Sequence, residues 1–554
     1  MSVRASSEQS SVATPGAATT QVDAVVIGAG VNGVYQLYRL CELGLSVRLL
    51  EAGGGVGGTW YWNRYPGARL DSESYTYGYF FSEKLLREWA WSESFAGQPE
   101  LEKYFNFAVD KLGLRQYIEF NARVVSAEYD EPANRWEVTT QCGEQIRATY
   151  LICAVGILSA PQFPGFPGLD AFTGEVHHTG LWPAGTVEFE GKRVAVIGTG
   201  ASGVQVISAI GPKVAQLTVF QRTPNWCTPI NNAPLSAERA HEIWEQREQI
   251  YQLCQESPGG FVHKPRDESA LAISAEERHR YLEELWNAPG LSMYQANFRD
   301  LLLSWEVNNT VTEFIAGKIR ERVKDPQMAN KLIPKDHGFA VKRPPLETCY
   351  YEVYNQDNVE LIQLDEEPIE RVTATGIRTV SSFYEVDIIV LATGFDAVTG
   401  AIKRIDIRGR NGVAIRDHWA DGPRSALGMQ TSGFPNMFIV GGPHGAAGNN
   451  PRSAEHQVGW VTDCIRYLAE HGFDRIEATP QAEDEWTEHA NETVAHTLQA
   501  QGDSWYFGSN VPGKKRVFLL YAGGQPRYRA RMADVVARGY AGFVLDRVPA
   551  QEPV

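Results

Sequence analysis

The chain has 554 residues, of which 43% are hydrophobic and 11% aromatic, too many for one core and enough for several. A net charge of -16 excludes nucleic acid and anionic membrane as natural partners, although a cofactor phosphate needs only local positive charge. Mean hydropathy is -0.29 and no apolar run is long enough to span a bilayer.

Residues 1–20 are rich in Ser, Ala and Thr and carry no apolar stretch, so they read as a disordered tail and not a secretory signal. The seven cysteines are scattered and never form Cys-x-x-Cys. That pattern points to reduced thiols in a cytoplasmic protein, with no disulfide framework and no metal site.

Asp23–Ile27 is a short apolar run of the kind buried in parallel sheets. It runs into Gly28-Ala29-Gly30-Val31-Asn32-Gly33 and then a helix pattern. Strand, Gly-x-Gly-x-x-Gly and helix in that order form a dinucleotide fingerprint, in which backbone and helix N-terminus meet a pyrophosphate. The next strand, residues 46–50, ends at Glu51, which can accept ribose hydroxyls of an adenosine that has no 2′-phosphate. This suits FAD or NAD. Gly57-Gly58-Thr59-Trp60-Tyr61-Trp62 follows, with paired glycines for close backbone approach and aromatics able to wall a flat ring. Residues 85–115 read as mainly helical, starting again at Gln98-Pro99-Glu100, and residues 119–150 as a small β-meander.

A second fingerprint stands at Gly198-Thr199-Gly200-Ala201-Ser202-Gly203, between the strand Arg193–Ile197 and a helix pattern. Its second strand ends in Gln221-Arg222-Thr223. The acidic residue is missing here and a guanidinium, which binds phosphate in a bidentate way, stands in its neighbourhood. The first site therefore prefers FAD and the second NADPH. Residues 229–335 mix charges with spaced apolar positions and read as an amphipathic helical insertion. The fold class expected is α/β, with two Rossmann-like dinucleotide-binding domains, for FAD and NADPH, and a helical insertion. The expected division is 21–158 with 391–545 for FAD, 159–228 with 336–390 for NADPH, and 229–335 for the insertion.

Between the fingerprints, Phe172, Gly174, His178, Trp182 and Pro183 fit Phe-x-Gly-x-x-x-His-x-x-x-Trp-Pro. This pattern resembles the fingerprint of type I Baeyer–Villiger monooxygenases, and the resemblance runs from about residue 20 to 545. It implies that NADPH reduces FAD, that O2 adds to the flavin, and that a ketone becomes an ester or lactone. It implies that Trp60, Asp71 and Tyr77 line the flavin and that Arg343 stands over it as the catalytic cation, with Asp71 orienting it. It also implies that Lys342 helps hold the 2′-phosphate and that Trp505 closes over the nicotinamide. Arginine cannot serve as a base at ordinary pH, so the role expected of Arg343 is electrostatic. The Gly442-Pro443 loop resembles the one under the flavin ring, but its continuation to Arg452 is unusually polar, and Arg452 reads as a surface or helix-start residue.

The expected partners are a ketone and O2, with no nucleic acid and no membrane, acting as a monomer or weak oligomer. Two alternatives stand beside this reading. A flavin-containing N- or S-monooxygenase would lack the Trp-Pro ending and a counterpart of the Asp71 and Arg343 pair. A non-catalytic redox sensor would keep the glycine loops and lose the oxygen site.

Overall fold

The computed structural model describes residues 20–547. The expected tail at 1–20 therefore lies outside the described residues, except Thr20, which opens the strand Thr20–Ile27. Two separate sheets, one mixed and one wholly parallel, carry the two glycine fingerprints.

The first sheet takes its strands from residues 20–153 and 406–439. Thr20–Ile27 pairs in parallel with Val47–Leu50 on one side and with Gln145–Cys153 on the other. Gln145–Cys153 has two further partners on its other edge. Its first half pairs antiparallel with Arg135–Thr140, which continues to Val124–Asp130 as the expected meander, and its second half pairs in parallel with Met437–Ile439. The long strand thus fastens the C-terminal part of the chain to the N-terminal fingerprint.

The second sheet is wholly parallel, in the order Val359–Gln363, Gln216–Gln221, Arg193–Ile197, Ile388–Leu391, Glu175–His178. Side chains alternate faces along a strand, so an unbroken apolar run is buried on both. In Thr20–Ile27, Ala24 and Val26 enter one core and Val25 and Ile27 the opposite one. In Arg193–Ile197, Val194 and Val196 face one core, Ala195 and Ile197 the other. Each fully buried Val or Ile contributes about 1.5–3 kcal/mol, so these strands are major anchors of both frames.

The insertion is helical, as its pattern predicts, with Ala237–Glu245, Arg247–Glu256, Ala275–Asn287, Trp305–Arg322 and Pro326–Leu332 as its main elements. Leu282, Leu285, Trp286, Val311 and Ile315 join the core under the second sheet. The short parallel pair of Thr228–Pro229 with Leu346–Glu347 closes the insertion and fixes the chain just after Arg343. All seven cysteines are free. Among the described residues no helix is long and apolar enough to cross a membrane, and no group of three or more His, Cys, Asp or Glu could hold a metal ion.

Candidate active site

The two fingerprints have the same construction. Gly28 sits at φ +102° and Gly198 at φ +105°, where L side chains are strained, and a Cβ at either would fall 2.6 Å or 2.5 Å from the carbonyl oxygen of Ala154 or Ala392. The helices that follow, Val31–Glu42 and Ala201–Ile210, begin at Gly30 and Gly200 with no side-chain cap. Their first-turn N–H groups are left for another acceptor, as an anion site requires. Nothing lies within 4 Å of a Cβ built on Gly200, whereas one on Gly58 would meet Gly30 Cα at 2.8 Å. The Gly57-Gly58 turn therefore abuts the first fingerprint backbone to backbone. These cradles fit dinucleotides.

Glu51 is buried, with one carboxylate oxygen accepting the Ala29 amide and the other the Gly53 amide, each at 2.7 Å. Burial raises its pKa against those two hydrogen bonds. It thus also ties the fingerprint turn. Strand register makes Gln221 its equivalent, since Ile27 pairs Leu50 and Ile197 pairs Phe220. Gln221 is buried and donates to the Lys331 carbonyl and to Gln363, while Arg222 beside it is exposed. Thr199 Oγ1 donates to the Thr223 carbonyl at 3.1 Å, joining the fingerprint to the strand end that carries Arg222.

Asp71 and Arg343, 272 positions apart, meet with Arg343 Nη2 donating to Asp71 Oδ2 at 2.5 Å. Their side chains are 42% and 25% exposed, so the pair sits at the wall of an opening and not in a sealed core. Burial alone would lower the Arg343 pKa, but Asp71, with the Tyr506 and Tyr294 phenols, outweighs it and holds the group cationic. The guanidinium lies 5.9 Å from the centre of the Tyr294 ring. Trp60 Nε1 donates to Tyr77 OH at 3.0 Å, with the rings edge to face. Burial pushes Tyr77 up to about 12, so it stays a neutral phenol. Thr59 is exposed at the start of the short helix Thr59–Trp62.

The segment Phe172–Pro183 forms a joint. Glu175–His178 is the edge strand of the second sheet, on Ile388–Leu391. Phe172 packs into the core beside that edge, and a Cβ on Gly174 would strike the Asp387 carbonyl at 2.3 Å. His178 is buried between Phe163 and Phe395, its Nδ1 accepts the Gly180 amide at 2.9 Å, and burial lowers its pKa. Thr179 Oγ1 reaches Ser202 Oγ in the second fingerprint, and the Trp182 amide donates to the Trp62 carbonyl next to the first. Trp182, Pro183, Arg64 and Gln98 line an open cleft of about 750 Å³ beside this joint. None of Asp71, Tyr294, Arg343 or Tyr506 lines it.

The family described as "FMO-like: Flavin-binding monooxygenase-like" matches residues 21–232. The 2-oxo-Delta(3)-4,5,5-trimethylcyclopentenylacetyl-CoA monooxygenase of Pseudomonas putida is 45% identical over 95% of this chain and 98% of its own. A Baeyer-Villiger monooxygenase of Pseudooceanicola batsensis is 42% identical over 95% and 96%. The chain belongs to the Baeyer–Villiger monooxygenases. The crystal structure of the OTEMO complex with FAD and NADP superposes with a TM-score of 0.92 at 45% identity, covering 96% of this chain and all of that one. Like other Baeyer–Villiger monooxygenases, this protein uses FAD, NADPH and O2 to convert a ketone into an ester or lactone.

In this monooxygenase Lys342 is mostly buried, with its Nζ on Asp336 Oδ2 at 3.0 Å. Trp505 is half-buried in the single turn Trp505–Phe507 and stacks edge-on with Tyr506 at 4.5 Å. Arg452 corrects its expectation. It does lie in the first turn of Asn450–His471, but it is fully buried and not on the surface. Its Nη2 donates to the Gly78 carbonyl at 2.6 Å and pairs with the mostly buried Glu455 carboxylate at 3.1 Å, and its guanidinium lies over Phe80 at 4.2 Å, so a backbone acceptor, a counter-charge and a ring replace water. Tyr294 and Tyr506, which flank Arg343, were not singled out from sequence. Tyr294 sits in an insertion with no motif around it, and only its neighbours in space mark it. For Tyr506 the adjacent Trp505 was the available signal.

Proposed function

We propose that Arg343 is the catalytic cation of this monooxygenase and Asp71 the residue that aims it. Asp71 is also proposed to line the flavin site with Gly58, Thr59, Trp60 and Tyr77. The observation that carries this reading is the Asp71–Arg343 contact beside Trp60 and Tyr77, made by residues far apart in sequence. Gly28, Gly30, Gly33 and Glu51 would hold FAD; Gly198, Gly200, Ser202, Gly203, Arg222, Thr223 and Lys342 would hold NADPH, with Trp505 closing over it. The corresponding division of the chain is 21–158 with 391–545 for FAD, 159–228 with 336–390 for NADPH, and 229–335 as a helical cover. Phe172, Gly174, His178, Trp182 and Pro183 act as the joint between the two nucleotide sites.

When bound, FAD takes a hydride from NADPH and delivers one atom of O2 to the ketone, the other leaving as water. The chain supplies the electrostatics. Charge moves onto the carbonyl oxygen as its carbon is attacked, and a fixed guanidinium stabilises that charge without prior reorganisation. Asp71 lowers the conformational freedom of Arg343 and keeps its fork on one side of the opening. Tyr77 and Trp60, hydrogen-bonded to each other, form a wall with few free polar groups.

The substrates proposed are cyclic or bulky ketones, in line with the cyclopentenyl substrate in the Pseudomonas putida relative's name. A cytoplasmic monomer or weak oligomer accords with the acidic surface and seven free thiols. The test is mass analysis of products from linear, cyclic and bicyclic ketones, and from amines and thioethers in parallel, with NADPH and air. One added oxygen in an ester or lactone is expected. Oxygenated amines or thioethers with no ester from any ketone would instead place the protein with the N- and S-oxygenating flavoproteins.

A further inference from the structure

We propose that Asp336 competes with the 2′-phosphate of the cofactor for Lys342, and so sets the strength of the preference for NADPH over NADH. This rests on the reading of Lys342 as a phosphate ligand. Three contacts dock the stretch 331–343, which holds both residues, onto the strand end that carries Arg222 and the turn after it. Gln221 Nε2 donates to the Lys331 carbonyl at 2.8 Å, Trp226 Nε1 to the His337 carbonyl at 2.9 Å, and Asn225 Nδ2 to the Arg343 carbonyl at 3.4 Å. Lys342 is therefore delivered to the neighbourhood where a 2′-phosphate is expected, but not as a free cation.

Asp336 holds it at 3.0 Å, with the lysine side chain 18% exposed and the aspartate 52%. The aspartate is itself held. Its other oxygen takes the Nδ1 of His337 at 2.6 Å, and the His337 ring is almost wholly buried. Burial keeps His337 below its ordinary pKa, so the imidazole serves as a neutral donor. Around Asp336, burial works against ionisation, but His337 and Lys342 together keep the carboxyl well below the usual carboxylate range. A phosphate that arrives at Lys342 thus meets a neutralised ammonium and a fixed negative charge beside it. Arg222, by contrast, is exposed and makes no ion pair among the described residues. NADH carries no phosphate at this position and is indifferent to the pair. The aspartate therefore lowers affinity for NADPH alone, which speeds release of NADP at the cost of discrimination.

The test uses FAD-loaded enzyme and calorimetry with 2′,5′-ADP and 5′-ADP, which bind without turnover. Asp336→Asn keeps an acceptor for His337 and removes the charge. It should tighten 2′,5′-ADP about two- to fivefold, the range of a partly exposed ion pair, and leave 5′-ADP unchanged. Asp336→Ser should do the same. In a Lys342→Met background the gain should shrink to the part that comes from relieving the repulsion between carboxylate and phosphate, since the cycle isolates the pair; a gain as large as in the parent background would overturn the competition. Unchanged or weaker 2′,5′-ADP binding in both Asp336 variants would overturn the competition. If Lys342→Met alone leaves 2′,5′-ADP affinity intact, the assignment of Lys342 itself falls.

Discussion

Replacing Arg343 by Ala separates the two halves of the reaction. The guanidinium is held beside the opening by Asp71 and stays charged at any working pH. A unit charge about 4 Å from a developing oxyanion is worth about 4 kcal/mol at an effective dielectric of 20. Arg343 is a quarter exposed, so water screens part of this and about 3 kcal/mol remains. That equals about a hundredfold in the oxygen-transfer step, close to the loss seen when one oxyanion donor is removed elsewhere. Stopped-flow mixing with NADPH without air should show flavin reduction within a few-fold of the parent enzyme. Mixing with air and ketone should show NADPH consumed with little ester formed. Arg343→Lys, with a charge but no fork, should fall between. Ester formation by Arg343→Ala within about threefold of the parent would refute the electrostatic role.

Arg222→Ala should raise KM for NADPH about tenfold and leave KM for NADH unchanged, because only the phosphate is lost as a partner; steady-state kinetics with both cofactors checks this. Glu51→Ala leaves the Ala29 and Gly53 amides without their buried acceptor, at about 1–3 kcal/mol each, and should release FAD on gel filtration while the fold persists. His444 is buried, between Ser425 and the Phe518 carbonyl, and burial depresses its pKa from 6.5 to about 4. In that window the unfolded chain binds the proton and the folded one does not, so stability falls as pH drops from 6.5 toward 4. The loss is about 3 kcal/mol, and His444→Asn should flatten the slope of melting temperature against pH.

The two frames were legible in sequence because each is announced by three coupled signals: an apolar strand, a glycine turn and a helix. The Leu50 and Phe220 register shows that Glu51 and Gln221 were matched correctly. The use of Gln221 was not legible, since its partners Lys331 and Gln363 come from elements far along the chain. Arg452 was misplaced because arginine is rarely buried. Its carboxylate partner Glu455 stands only three positions on, but such a spacing is equally common on a solvated helix face, and the Phe80 ring and Gly78 carbonyl that complete its surroundings lie far away in sequence. Tyr294 was missed for a related reason. An amphipathic insertion shows which face is apolar, but not which residue of a short helix reaches a distant arginine.

The Phe172–Pro183 segment carries the family likeness yet spends its side chains on carpentry: an edge strand, a buried imidazole, one hydroxyl toward Ser202 and one amide toward Trp62. What it fixes is the spacing between the two glycine fingerprints, through Ser202 on one side and Trp62 on the other, a dimension that does not depend on the ketone. Redesign of substrate scope can therefore leave it untouched and work on the tyrosines around the guanidinium.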